Sequence, residues 1–139
     1  MASFSESNPV KIAIVGAGAV SDYHHVPGIR IDPRAKLVAV CDASTELLEK
    51  RKKDWGIDNI TTDFEAVCAD PGVDAIIIAS RHKDHAAQAV AALNAGKHVF
   101  IEKPMAVTLD ECRAIYAAVE ASGKRLMVGF NRRFAPFYV

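Results

Sequence analysis

The sequence predicts an α/β fold built on a doubly wound parallel sheet, with strand order 3-2-1-4-5-6. Three observations carry this. Short apolar runs alternate with helical patterns from end to end, the sequence form of repeated βαβ units. The runs IAIV, LVAV, AIIIA and HVFI are continuously apolar, as expected of strands covered on both faces. A glycine-rich turn stands between the first run and the first helical region. Right-handed crossovers leave few other topologies.

In chain order, the predicted strands are Val10–Val15, Lys36–Cys41, a weaker Asn59–Thr61, Ala75–Ala79, His98–Ile101 and Leu126–Val128. Ser44 is placed to cap a helix through Leu47, Leu48 and Lys52 that stops at Gly56. Thr62 with Glu65, and Thr108 with Glu111, have the spacing of capping boxes, in which each side chain satisfies an orphan backbone N–H. Asp70-Pro71-Gly72 reads as a turn closing the short third helix. Gly96 and Gly123 stand where helices starting near Lys83 and Leu109 should end in a left-handed residue.

These signals place one domain at residues 10–130, after a disordered lead-in at 1–9 and before a stub at 131–139. The chain of 139 residues suffices for one sizeable core. Lys plus Arg and Asp plus Glu each number 17, so no net field draws the chain to nucleic acid or an anionic membrane. No apolar run approaches a membrane span, and the N-terminus lacks the regions of a signal peptide. Cys41, Cys68 and Cys112 have no metal-ligand spacing, and their odd number argues against a disulfide framework; no metal site and a cytoplasmic location are expected. The ending, FNRRFAPFYV, carries Phe130, Phe134, Phe137, Tyr138 and Val139 with no following element, so a further domain or a partner should cover them.

Gly16-Ala17-Gly18-Ala19-Val20-Ser21 links the first strand to the first helix. Gly16 permits a tight turn, and Gly18 lets the backbone approach a pyrophosphate at the positive helix N-terminus, with Ala19 and Val20 next to it. The third fingerprint position, usually Gly or Ala, is Ser21, which predicts a slightly looser helix–strand contact without loss of binding. Asp42 follows the second strand directly. A carboxylate there accepts from adenosine ribose hydroxyls and repels a 2′-phosphate, favouring NAD over NADP; the plain alternative is a charge near the start of the next helix. Arg51 and Lys52 are placed to fold back and weaken that preference.

Glu102-Lys103-Pro104 follows the fifth strand, at the edge where open α/β sheets bind ligands. A partly desolvated Lys103 facing a nicotinamide suits proton exchange with a substrate hydroxyl, and Pro104 stiffens its backbone. A lysine at a strand end is by itself ordinary solvated surface; the cofactor turn elsewhere changes that balance.

From Val10 to Pro136 the chain resembles the N-terminal domain of the glucose–fructose oxidoreductase / inositol dehydrogenase / rhizopine-catabolism oxidoreductase (Gfo/Idh/MocA) family. The likeness rests on Gly16 and Gly18, on His24 just past Ser21, on Ser80 with His85, and on the stretch ALNAGKHVFIEKP. The resemblance implies an NAD(P)-dependent oxidoreductase acting by hydride transfer on a CH–OH group of a sugar, cyclitol or related compound. It assigns the contact with the reacting hydroxyl to Lys103. It implies cofactor contacts from Gly16, Gly18, Ala19, Val20, Asp42, Ser80, Arg81, His85, Glu102 and Lys103. The family often has Thr-Pro where this chain has Ser80-Arg81; Arg81-His82 with FNRRFAP resembles a subgroup of polysaccharide and sugar-nucleotide metabolism. Arg81, Arg132 or Arg133 would hold an anionic substrate group, and His24 is a further substrate candidate, each with solvated surface as the plain alternative.

Family members carry a second α+β domain that covers the nicotinamide, and this chain has no room for one after Val139. The expectation is therefore a nucleotide-binding half, completed by that missing domain, a partner chain or a homo-oligomer. Two other functions stay open: a Rossmann module that holds NAD as a sensor without turnover, and a methyltransferase, which would leave the EKP motif unexplained.

Overall fold

A computed structural model describes residues 4–137, so Tyr138 and Val139 of the terminal aromatic group, like residues 1–3, lie outside the described residues. Six strands form one sheet: β1 (Val10–Val15), β2 (Ala35–Cys41), β3 (Ile60–Thr61), β4 (Ala75–Ile78), β5 (His98–Ile101) and β6 (Leu126–Val128). All neighbouring pairs are parallel, and the order is β3-β2-β1-β4-β5-β6. The predicted doubly wound topology is therefore the observed one. The order reverses between β1 and β4, which opens a crevice beyond their carboxyl ends.

The connecting helices are α1 (Val26–Ile31), α2 (Thr45–Trp55), α3 (Phe64–Ala69), α4 (His82–Asn94) and α5 (Leu109–Ser122). Successive side chains of a strand point to opposite faces, so β1 feeds two cores. Ala13 and Val15 join Ile76, Ile78, Val99 and Ile101 against Leu93 of α4 and Ile115 of α5. Ile14 joins Val40 against Val26 and Ile29 of α1 and Leu48 and Trp55 of α2. Each fully buried branched side chain contributes about 1.5–3 kcal/mol relative to exposure.

Burial on both faces does not hold across the sheet. In β4 and β5 the residues Ile76, Ile78, Val99 and Ile101 are buried, while Ile77 and Phe100 are half-buried and Met127, next in register, is 48% exposed. The helices of that second face, α1 and α2, contact β2 and β3 and leave the β5–β6 half thinly covered.

The helix ends follow local chemistry. Ser44 Oγ accepts from the Leu47 N–H at 3.2 Å, and Gly56 ends α2 at φ 60°. Thr108 and Glu111 form the expected capping box, and Gly123 ends α5 in the left-handed region. Thr62 is not a cap: α3 starts one residue later, with Asp63 Oδ1 accepting from the Ala66 N–H at 3.1 Å. The Asp63 carboxylate reaches the first turn, while the neighbouring Thr61 hydroxyl is taken by the Asp63 N–H. In the lead-in, Ser5 and Asn8 exchange two backbone hydrogen bonds, so residues 5–8 form a turn where disorder was expected.

The first helix is not a plain α-helix. It runs from 19 to 31 with a π-helical turn at Ser21–His25, where the Val26 N–H reaches back to the Ser21 carbonyl. Pro27 is the cause: it has no N–H, its ring crowds the carbonyl four residues back, and one widened turn relieves both. Among the described residues, no helix is long and apolar enough to cross a membrane.

Candidate functional site

The carboxyl ends of β1, β2, β4 and β5 bring four loops to one edge of the sheet. Gly16 begins the first loop at φ +98°, and a Cβ there would stand 2.4 Å from the Ala79 carbonyl oxygen. Both facts require glycine, and they seat the turn directly on the end of β4. Nothing lies within 4 Å of the corresponding point on Gly18, so that backbone faces open space. Ala19 and Val20, exposed, begin the helix whose free N–H groups point into this space. The predicted looseness at Ser21 is corrected: the side chain is fully buried and its hydroxyl donates to the Gly16 carbonyl at 2.6 Å. A hydrogen bond replaces the close apolar contact of a third glycine.

Asp42 holds this turn in place. Its Oδ2 accepts from the Ala17 N–H at 2.8 Å and its Oδ1 from the Ser44 N–H at 2.9 Å. Asp42 thus anchors both the glycine turn and the start of α2, and each carboxylate oxygen keeps a lone pair to offer. Arg51 does fold back, but downward onto the loop's underside, donating to the Ala17 carbonyl and to Asp22. Lys52 points instead towards Asp58, 3.9 Å away.

At the end of β4, the Ser80 hydroxyl donates to Gln88 Oε1 at 2.5 Å, and Arg81 is exposed at the start of α4. His85 is corrected. It is 1% exposed, with Nδ1 2.8 Å from the Pro104 carbonyl and Nε2 3.2 Å from the Ser80 carbonyl. The ring therefore joins the loops after β4 and β5.

Glu102, Lys103 and Pro104 form the loop after β5, with a cis Lys103–Pro104 peptide. Glu102 Oε2 accepts from the Lys103 N–H at 3.3 Å. Lys103 is exposed, so this chain does not itself supply the expected desolvation. It lines an open groove of about 470 Å³ with Phe130, Asn131, Arg132 and Arg133. The structure thus brings two of the three candidate arginines, Arg132 and Arg133, to Lys103, and leaves Arg81 outside this groove. His24 is exposed and takes no part in the contacts of this loop.

The resemblance singled out His24, but it is the neighbouring histidine that reaches this loop. His25 Nε2 lies 3.0 Å from Glu102 Oε1, off the line of a good hydrogen bond, and the ring meets Phe100 edge-on. Burial holds the His25 pKa below its ordinary value, outweighing the pull of Glu102. The π-helical turn around it, predictable from Pro27, is the signal that could have drawn attention to it.

The Gly16 cradle, the open Gly18 backbone, the helix start and Asp42 together fit a dinucleotide. Residues 10–130 match the oxidoreductase family with an NAD-binding Rossmann fold (Gfo/Idh/MocA). The chain belongs to that family.

The dehydrogenase for 1-carboxy-3-chloro-3,4-dihydroxycyclohexa-1,5-diene of Comamonas testosteroni is 38% identical over 125 residues, covering 90% of this chain and 31% of that protein. The scyllo-inositol 2-dehydrogenase (NAD(+)) of Bacillus subtilis strain 168 is 36% identical over 129 residues, covering 93% and 38%. The structure of biliverdin reductase from Synechocystis, in complex with biliverdin and NADP+, superposes with a TM-score of 0.86 at 30% identity, covering 93% and 40%. The chain therefore spans about a third of the length of the curated relatives it matches.

Proposed function

We propose that this chain is the nucleotide-binding part of an NAD-dependent dehydrogenase that oxidises or reduces a CH–OH group on a sugar-like or cyclitol substrate. The single observation that supports this most is the placing of Lys103 and the Gly16–Gly18 turn on one edge of the sheet, across the β1/β4 crevice. The Gly18 backbone and the start of the helix bind the pyrophosphate, and Asp42 accepts from the ribose. Ser80, Arg81 and Glu102 border the nicotinamide end. When bound, the nicotinamide supplies the hydride acceptor or donor.

Lys103 holds or gives the proton of the substrate hydroxyl at Nζ, stabilising whichever oxygen charge develops. Arg132 and Arg133, beside it in the groove, orient the substrate, and a carboxylate is the group they fit best. One relative's name includes both a carboxyl and a vicinal diol, and another's is an inositol, which supports this substrate class. NAD is favoured over NADP because Asp42 repels a 2′-phosphate and Arg51 is engaged elsewhere. The open groove closes over substrate only when further polypeptide, in this protein or a partner copy, lies against Phe130 and Phe134, which are 56% and 63% exposed.

The test is a fluorescence titration of the chain with NADH and NADPH. Saturable NADH binding, at least about tenfold tighter than NADPH, is expected, the usual weight of one charge-assisted contact. Absence of NADH binding overturns the reading, and equal affinities overturn the cofactor preference. Lys103→Met should retain saturable NADH binding; in the protein assayed with its full catalytic complement on inositols and diol carboxylates, it should abolish turnover.

A further inference from the structure

The underside of the glycine turn is built around a buried charge. Arg51, on α2, is 7% exposed. Its Nε donates to the Ala17 carbonyl at 3.0 Å and one terminal nitrogen donates to Asp22 Oδ2 at 2.7 Å. The guanidinium lies 5.1 Å over the Trp55 ring, whose Nε1 donates to the other Asp22 oxygen at 2.7 Å. From the opposite side, Asp42 Oδ2 takes the Ala17 N–H. Both polar groups of Ala17, itself fully buried, are therefore gripped by side chains from two different elements.

Taking a guanidinium out of water costs several kcal/mol, and pairing with carboxylates, here Asp22 at 2.7 Å and the more exposed Asp54 at 3.5 Å, often only offsets that cost. An apolar residue would fill this space without it. What the arginine adds is geometry: a rigid planar fork that meets a carbonyl, a carboxylate and an aromatic face at once. Asp22 lies in the π-helical turn of the same helix whose start faces the crevice, so Arg51 fixes the loop and the helix behind it relative to each other.

We propose that Arg51 is the positioning residue of the dinucleotide site: it sets the orientation of the Gly16–Gly18 backbone towards the pyrophosphate and takes no part in reading a 2′-phosphate. This rests on the proposal that the chain binds NAD. Loss of the fork should weaken any ligand that carries the pyrophosphate, and should do so equally with and without a 2′-phosphate.

The experiment measures NADH and NADPH dissociation constants and thermal midpoints for the unsubstituted chain, Arg51→Met and Arg51→Lys. Failure of the unsubstituted chain to bind NADH would be failure of the NAD reading, separate from the role of Arg51. Arg51→Met should raise both constants by about tenfold or more, leaving their ratio unchanged. Arg51→Lys keeps the charge and most of the volume, so it should fold even if the methionine variant does not. It should raise both constants by about fivefold, the loss of one such hydrogen bond, with its thermal midpoint near that of the unsubstituted chain. A folded lysine variant with unchanged NADH affinity overturns the proposal. So does selective loss of NADPH, which would make Arg51 a reader of the 2′-phosphate.

Discussion

Glu102 and His25 meet across the crevice: Oε1 of one stands 3.0 Å from Nε2 of the other, joining the loop that carries Lys103 to the helix that follows the glycine turn. The same carboxylate accepts the Lys103 N–H through Oε2. One glutamate thus connects the helix after the glycine turn, proposed to bind cofactor, to the loop of Lys103, proposed to handle the proton. A Cβ on Gly129 would fall 3.0 Å from Phe100 and 3.4 Å from the Glu102 carboxyl carbon, so the far side of this contact is closely packed as well.

His25 and His98 predict the pH dependence of stability. Burial lowers the pKa of each, and His98 Nδ1 also accepts from the Arg125 N–H at 3.1 Å, a bond that protonation there would break. A histidine whose folded pKa is lowered takes up its proton first in the unfolded chain, so stability falls as pH drops through about 6.5, the unfolded value. The thermal midpoint should fall between about pH 7.5 and 5.5, and less steeply in His25→Gln with His98→Gln. A flat profile for the unsubstituted chain would refute this.

The two glycines of the turn should fail differently. Gly16→Ala forces φ +98° and a 2.4 Å contact with backbone on an L residue, and should cost about 3 kcal/mol or more. Gly18→Ala meets nothing and should fold normally, losing only NADH affinity because a methyl group enters the pyrophosphate space. Thermal denaturation and NADH titration of the two variants separate these outcomes.

Lys97 is a structural lysine. It is 7% exposed, and its Nζ donates to the Asp70 and Val73 carbonyls at 2.6 and 2.8 Å. Lys97→Met should cost about 2–4 kcal/mol by leaving two carbonyls unsatisfied. It precedes β5, at the amino end of the sheet, so NADH affinity measured at a temperature where the variant is folded should not change.

His85→Leu should couple stability to the site. It keeps the volume but removes the ring between the Pro104 and Ser80 carbonyls, leaving at least one of them without a donor, for about 1–3 kcal/mol of stability. NADH affinity should fall with it by severalfold, because the loops after β4 and β5 lose their shared anchor. Loss of stability with unchanged affinity would confine His85 to the core.

Much of the fold could be read along the chain because its determinants are local. The capping box of Thr108 and Glu111 is completed within one turn, and Gly56, Gly96 and Gly123 each have positive φ, as their places after helices required. The same locality explains the error at Thr62: two neighbouring residues could both cap, and reach within a single turn favoured Asp63.

The candidate site was legible only as a set of residues. The apolar runs, the glycine turn and EKP determined by themselves the sheet, its order and the edge on which Gly16, Asp42 and Lys103 lie. The tertiary structure decided what each side chain does there. It set Arg51 under Ala17, buried His85 between two loops, chose His25 over His24, and brought Arg132 and Arg133 to Lys103. The reason is physical: backbone periodicity and capping are satisfied within a few residues. A buried guanidinium or imidazole is satisfied by carbonyls and carboxylates distant in sequence, and only the strand order brings those within 3 Å.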